Sequence, residues 1–106
     1  MYVSRLPFHV IPGHTSEVEQ RLTTLKSMVE QAGATRCRIL RSHFGSDGSP
    51  DLIFEQDADD LGALEQQIKK VTDSQAFQDW SRETSKLLVR SPKREAFTLV
   101  QDGPTR

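Results

Sequence analysis

Four short stretches of this 106-residue chain repeat apolar side chains every second residue, and the segments between them repeat every third or fourth. "YVSRLPFHVI" (2–11), "TRCRILRSHF" (35–44), "DLIFEQ" (51–56) and "SPKREAFTLV" (91–100) have the two-residue period of strands. Val18, Leu22, Leu25, Met28, Val29 and Ala32 share one face of a helix. A second helical region runs in two segments. Leu61, Leu64, Ile68 and Val71 form the buried side of the first, and Phe77, Trp80, Thr84, Leu87 and Leu88 that of the second. The order is β-α-β-β-α-β. Right-handed crossovers place the helices on one face of a four-stranded antiparallel sheet and leave the other face uncovered.

This is the ferredoxin-like α+β pattern, here a single domain over residues 1–100 followed by a flexible tail, 101–106. Ser16 and Glu19 fit a capping box at the start of the first helix, and Gly33 suits its left-handed end. Asp59 or Asp60 caps the second helix, and Asp73 or Ser74 restarts it. "GSDGSP" (45–50) reverses the chain between the second and third strands. Pro7 has no N–H to give, so it belongs at a bulge or on an unpaired side. "IPGHTS" (11–16) carries a single glycine and reads as a turn. Neither a dinucleotide fingerprint nor a phosphate loop is present.

Composition narrows the function classes. Net charge is −1, so no global field recruits nucleic acid, and the basic "TRCRILR" has no matching aromatic pair for an RNA surface. Apolar content is 35%, and no apolar run is long enough to span a membrane. The first residues lack a signal peptide's features, and Cys37 is the only cysteine, which predicts a cytoplasmic protein with a reduced thiol. Cys37 beside Ile39 reads as a small buried hydrophobe. His9, His14, Cys37 and His43 have no zinc spacing, so neither a metal nor a cofactor is expected.

Apolar residues occur on both parities of all four strands. Leu6, Phe8 and Val10 oppose Val3 and Ile11; Cys37 and Ile39 oppose Leu40 and Phe44. Leu52 and Phe54 oppose Ile53, and Phe97 and Leu99 oppose Ala96 and Val100. A sheet with one wet face alternates more cleanly. The pattern predicts a homodimer joined sheet to sheet, although parity alone leaves open which set faces the helices. The element order, the "VIPG" after strand one, "FEQDADDLGALEQ" and "DSQAFQDW" together resemble the dimeric α/β-barrel superfamily. That superfamily includes NIPSNAP-like, antibiotic-biosynthesis-monooxygenase-like and stress-responsive barrel proteins. The resemblance implies a barrel of paired sheets holding a small organic molecule, with cofactor-independent oxygenase chemistry as one activity. A non-catalytic ligand-binding module of ACT-like topology and a pure assembly module are the alternatives.

The candidate site follows from strand parity. Arg5 and His9 share a face about 13 Å apart along the strand. If that face lines the barrel, His9 is the candidate acid or base, and Arg5 or Arg38 holds an anionic group or an enolate. Glu55 and His43 are the candidate ligand contacts. His43 differs in parity from Arg38, so the two share a face only across a bulge.

Overall fold

The computed structural model describes residues 1–103. Its elements are β1 (Tyr2–Phe8), α1 (Thr15–Gln31), β2 (Thr35–Arg41), β3 (Leu52–Ala58), α2 (Leu61–Thr72), α3 (Gln75–Ser85) and β4 (Glu95–Thr98). The sheet order is β2-β3-β1-β4 with every neighbouring pair antiparallel, the ferredoxin-like topology. Residues 101–103 carry no regular structure, and the remainder of the expected tail, 104–106, lies outside the described residues.

Parity resolves cleanly. Leu6, Phe8 and Val10 face the helices and meet Leu52 and Phe54 of β3 and Val18, Leu22, Leu25 and Val29 of α1 in one core. Val71 and Trp80 close that core from α2 and α3. Phe77 stacks on Trp80 with ring centroids 5.6 Å apart, and Phe8 meets Trp80 edge to face at 6.5 Å. The Trp80 indole N–H donates to the Arg21 carbonyl at 2.7 Å, so the ring is buried with its polar atom satisfied. Thr84 is buried as well, and among the described residues its hydroxyl has no partner.

Several local expectations need correction. The first helix starts at Thr15 with His14 as its N-cap and no side-chain cap, so the Ser16–Glu19 capping box does not form. Gly13, at φ 94°, delivers the chain into the helix two residues early, and Glu19 pairs with Arg41 instead. Strand one ends at Phe8 rather than Ile11. Beyond it, Val89 donates to the His9 carbonyl and Ile11 to the Leu87 carbonyl, so residues 9–11 are held by the connection after α3. Strands two and four are shorter than expected, at Thr35–Arg41 and Glu95–Thr98, and strand three runs from Leu52 to Ala58. Leu61, placed on the buried side by spacing, is 40% exposed because it occupies the first turn of α2.

Other expectations hold. Asp60 caps α2 through the Ala63 N–H at 2.9 Å, and Ser74 caps α3 through the Phe77 N–H at 3.2 Å. Gly33 follows α1 with φ 106°. The β1–β4 pairing stops at Arg5–Glu95, so Pro7 lies past it, where one side of β1 is unpaired.

The exposure difference sets a test. Leu22→Ala should lower the unfolding free energy by about 2–5 kcal/mol, while Leu61→Ala should change it by no more than about 0.5 kcal/mol, both read from urea denaturation.

Candidate functional site

The helix-free face carries Val3, Arg5 and Pro7 on β1, Arg38 and Leu40 on β2, Ile53, Glu55 and Asp57 on β3, and Glu95 and Phe97 on β4. Its centre is charged. Glu55 and Asp57 are only 6% and 8% exposed although no helix covers them. Their cover is a row of guanidinium groups. Arg5 Nε and Arg38 Nε reach the two Glu55 oxygens at 2.5 and 2.7 Å. Arg38 Nη2 and Arg36 Nε reach the two Asp57 oxygens at 3.1 and 3.0 Å. The register between β2 and β3 shifts between Thr35 and Arg38, and Arg36 there adopts φ 54°. The Asp57 hydrogen bond is the chief reason the Arg38 guanidinium titrates above its ordinary range.

Arg5, Arg38 and Glu55 are thus brought together, and each Glu55 oxygen already has its own guanidinium. His9 stands apart. Its Nε2 lies 2.9 Å from the Gly48 carbonyl, which fixes that nitrogen as the donor and leaves Nδ1 as the free position. His9 lines a surface hollow of about 200 Å³ at the end of the sheet with Arg90 and Lys93. His43 follows the end of β2 and is exposed, away from the Arg38 cluster. Cys37 packs against the core. Burial, then the charge of Glu30, pushes its thiol up.

On the opposite side, between the sheet and helices α2 and α3, lies a second and more enclosed hollow that sequence reasoning missed. Leu6, Phe54, Ile68 and Phe77 supply apolar wall, and Gln56 and Arg94 supply the polar groups. Arg94 Nη1 donates to the Ser4 hydroxyl at 3.0 Å. Gln56 is held by Gln67, whose amide donates to its oxygen at 2.9 Å. Arg94 is exposed as a whole residue, its guanidinium reaches the buried Ser4, and burial alone pulls the guanidinium below its ordinary range. The free space left around that head is about 10 Å³, room for one water at most. Ser4 and Gln56 carried a sequence signal: both are polar residues at core parity in otherwise apolar strands. Arg94 carried none, because it sits in the polar run "SPKRE".

Among the described residues no cluster of three or more His, Cys, Asp or Glu is placed to hold a metal, and no helix is long and apolar enough to cross a membrane.

No family model matches the chain, and neither does any curated protein. Solved structures do. An uncharacterised NIPSNAP domain protein from Burkholderia xenovorans superposes with a TM-score of 0.78 at 15% identity, covering 99% of this chain and 100% of its own. A protein from Bordetella bronchiseptica provisionally named an antibiotic biosynthesis monooxygenase gives 0.72 at 15% identity, covering 94% and 97%. A single-site variant of SnoaB, a cofactor-independent oxygenase from Streptomyces nogalater, gives 0.65 at 18% identity, covering 98% and 95%. These descriptions include the NIPSNAP and antibiotic biosynthesis monooxygenase names that the sequence resembles, and at these identities the likeness establishes the fold alone.

Two outcomes test the geometry. Glu55→Gln should lower the unfolding free energy by about 1–3 kcal/mol, because two guanidinia lose a charged partner, whereas Glu19→Gln at the exposed Arg41 pair should leave it unchanged within error. The raised Cys37 thiol holds less thiolate at pH 8 than a free cysteine. Its reaction with Ellman's reagent should therefore be slower than that of glutathione and should accelerate above pH 9.

Proposed function

We propose that this protein binds a compact, largely apolar organic molecule and works as a homodimer joined through the helix-free faces of its sheets. The observation that carries the binding half is the hollow between the sheet and helices α2 and α3. It has apolar walls, a stacked aromatic pair beside it and a few convergent polar groups, the lining chemistry of a small-molecule site, and its side chains must move to admit a ligand because the free space is only about 10 Å³. The open sheet face is a poorer receptor. Both oxygens of Glu55 and both of Asp57 are engaged by Arg5, Arg36 and Arg38, and Glu95 lies directly across from Arg5. A charge-balanced network leaves little unmet attraction for a ligand. It is also a network that can be covered without burying a net charge.

Support for the dimer comes from the rim of that network. Val3, Leu40, Ile53 and Phe97 surround it, and Leu40 and Phe97 are left exposed in the single chain. A second copy offers the same apolar rim and the same neutral centre, the self-complementary arrangement a two-fold axis requires. The favoured reaction class is cofactor-independent oxygenation of the bound molecule. That class is carried over from SnoaB's description. In this chain the hollow supplies a guanidinium to stabilise developing negative charge, and Gln56 to orient the molecule. His9 lies on the sheet's other side at its end, so the acid–base role first given to it belongs to a second reading, with the ligand between the two sheets.

Light scattering should give twice the chain mass, and Ile53→Asp should halve it while leaving the far-ultraviolet circular dichroism intact. Mass spectrometry of the freshly purified dimer should show a bound small molecule that His9→Ala retains. Its loss in His9→Ala, with Ile68→Phe without effect, would place the ligand between the sheets instead. A monomer at micromolar concentration would remove the dimer.

A further inference from the structure

Past the last β1–β4 pair, Arg5–Glu95, the charges of the helix-free side stop balancing. There Pro7, His9, Arg90, Pro92, Lys93 and Glu95 line an open hollow of about 200 Å³. Among the described residues Arg90 and Lys93 make no ion pair, and Glu95 is the only carboxylate in the lining. Asp51 is turned elsewhere, accepting from the Val10 N–H at 2.8 Å, and does not line the hollow. Arg94, the third cation of "RSPKR" (90–94), reaches Ser4 instead. The whole chain carries a net charge of −1, so this excess of cations is local. The walls are also fixed. Val89 donates to the His9 carbonyl at 2.8 Å and Ile11 to the Leu87 carbonyl at 2.9 Å, which ties the segment before Arg90 to the segment bearing His9. The imidazole is held by its 2.9 Å bond to the Gly48 carbonyl, and two prolines add stiff apolar surface.

We propose that this hollow binds a small planar organic monocarboxylate. The acid group lies between the heads of Arg90 and Lys93. The guanidinium can take both carboxylate oxygens, and the ammonium adds a point charge. The planar body rests against the His9 ring and the two prolines. With His9 neutral, the two cations and Glu95 leave one positive charge in the lining, the complement of a single carboxylate. Glu95 repels a second negative charge, so inorganic phosphate fits less well. The site lies on the other side of the sheet from the hollow beside α2 and α3, and its occupancy does not depend on that hollow.

Histidine imidazole resonances of the full-length protein test this, with His14 and His43 as internal references outside the hollow. The titrations are run at constant pH in about 0.1 M salt, which screens loose surface attraction. Benzoate should shift the His9 signals saturably and leave those of His14 and His43 in place. Benzyl alcohol, of similar shape without the charge, and inorganic phosphate should each bind at least about threefold more weakly, as exposed charge pairs predict. Arg90→Gln and Lys93→Gln should each weaken benzoate by about threefold, and Ile68→Phe should leave its affinity unchanged. Equal affinity for benzyl alcohol, or benzoate binding untouched by Arg90→Gln and Lys93→Gln together, would overturn the role of the cations. Phosphate binding as well as benzoate would overturn the carboxylate assignment. Parallel shifts of all three histidines, or no saturable shift with any probe, would overturn the site. Loss of benzoate binding in Ile68→Phe alone would also overturn it, and would support the hollow beside α2 and α3 instead.

Discussion

A four-stranded sheet has two faces, and this chain makes enough helix to cover one. Everything else in the molecule follows from how that imbalance is handled. On the covered side the sheet is sealed by α1 and by Val71 and Trp80, with Phe8, Leu22 and Leu52 wholly withdrawn from solvent. On the uncovered side, two carboxylates on β3 are withdrawn from water by arginines that reach across from both neighbouring strands and from the bulge at Arg36. The arginine stems roof the carboxylates, and their heads neutralise them. The uncovered face is thereby given order without a second layer of helices.

The two sides divide the chemistry. A saturated ion network has its donors and acceptors already matched, so it suits a surface that meets its own copy. The hollow on the other side is unsaturated, with one guanidinium bonded to one serine hydroxyl. The proposed function uses each side for what its bonding state permits.

Much of this was legible in the residues. The element order came from switches between periods of two and of three to four residues, and those are strong wherever a strand or helix buries one face. The grouping of Arg5, Arg38 and Glu55 was only partly legible, because parity fixes faces within a strand and it is the register that brings the three side by side. What was not legible depended on tertiary contacts. Glu19 lost its local capping role because Arg41, 22 residues on, offers a charge that a backbone N–H does not. Residues 9–11 look like strand because they are extended and paired, but their partners are the residues after α3. Arg94 looks like a solvated loop cation, and only its bond to the buried Ser4 sets it apart. The one available clue was indirect: Ser4 and Gln56 break the apolar pattern at positions where a dry core would have none.

The sheet's outer borders complete the picture. β2 is interrupted by a residue in the left-handed region, at Arg36, where a side chain is disfavoured. β4, at the other border, is four residues long. A kinked border and a stunted one make poor templates for further strands. Lateral growth into ribbons or fibres is thus discouraged at both margins, which fits the closed pair proposed above better than an open-ended polymer.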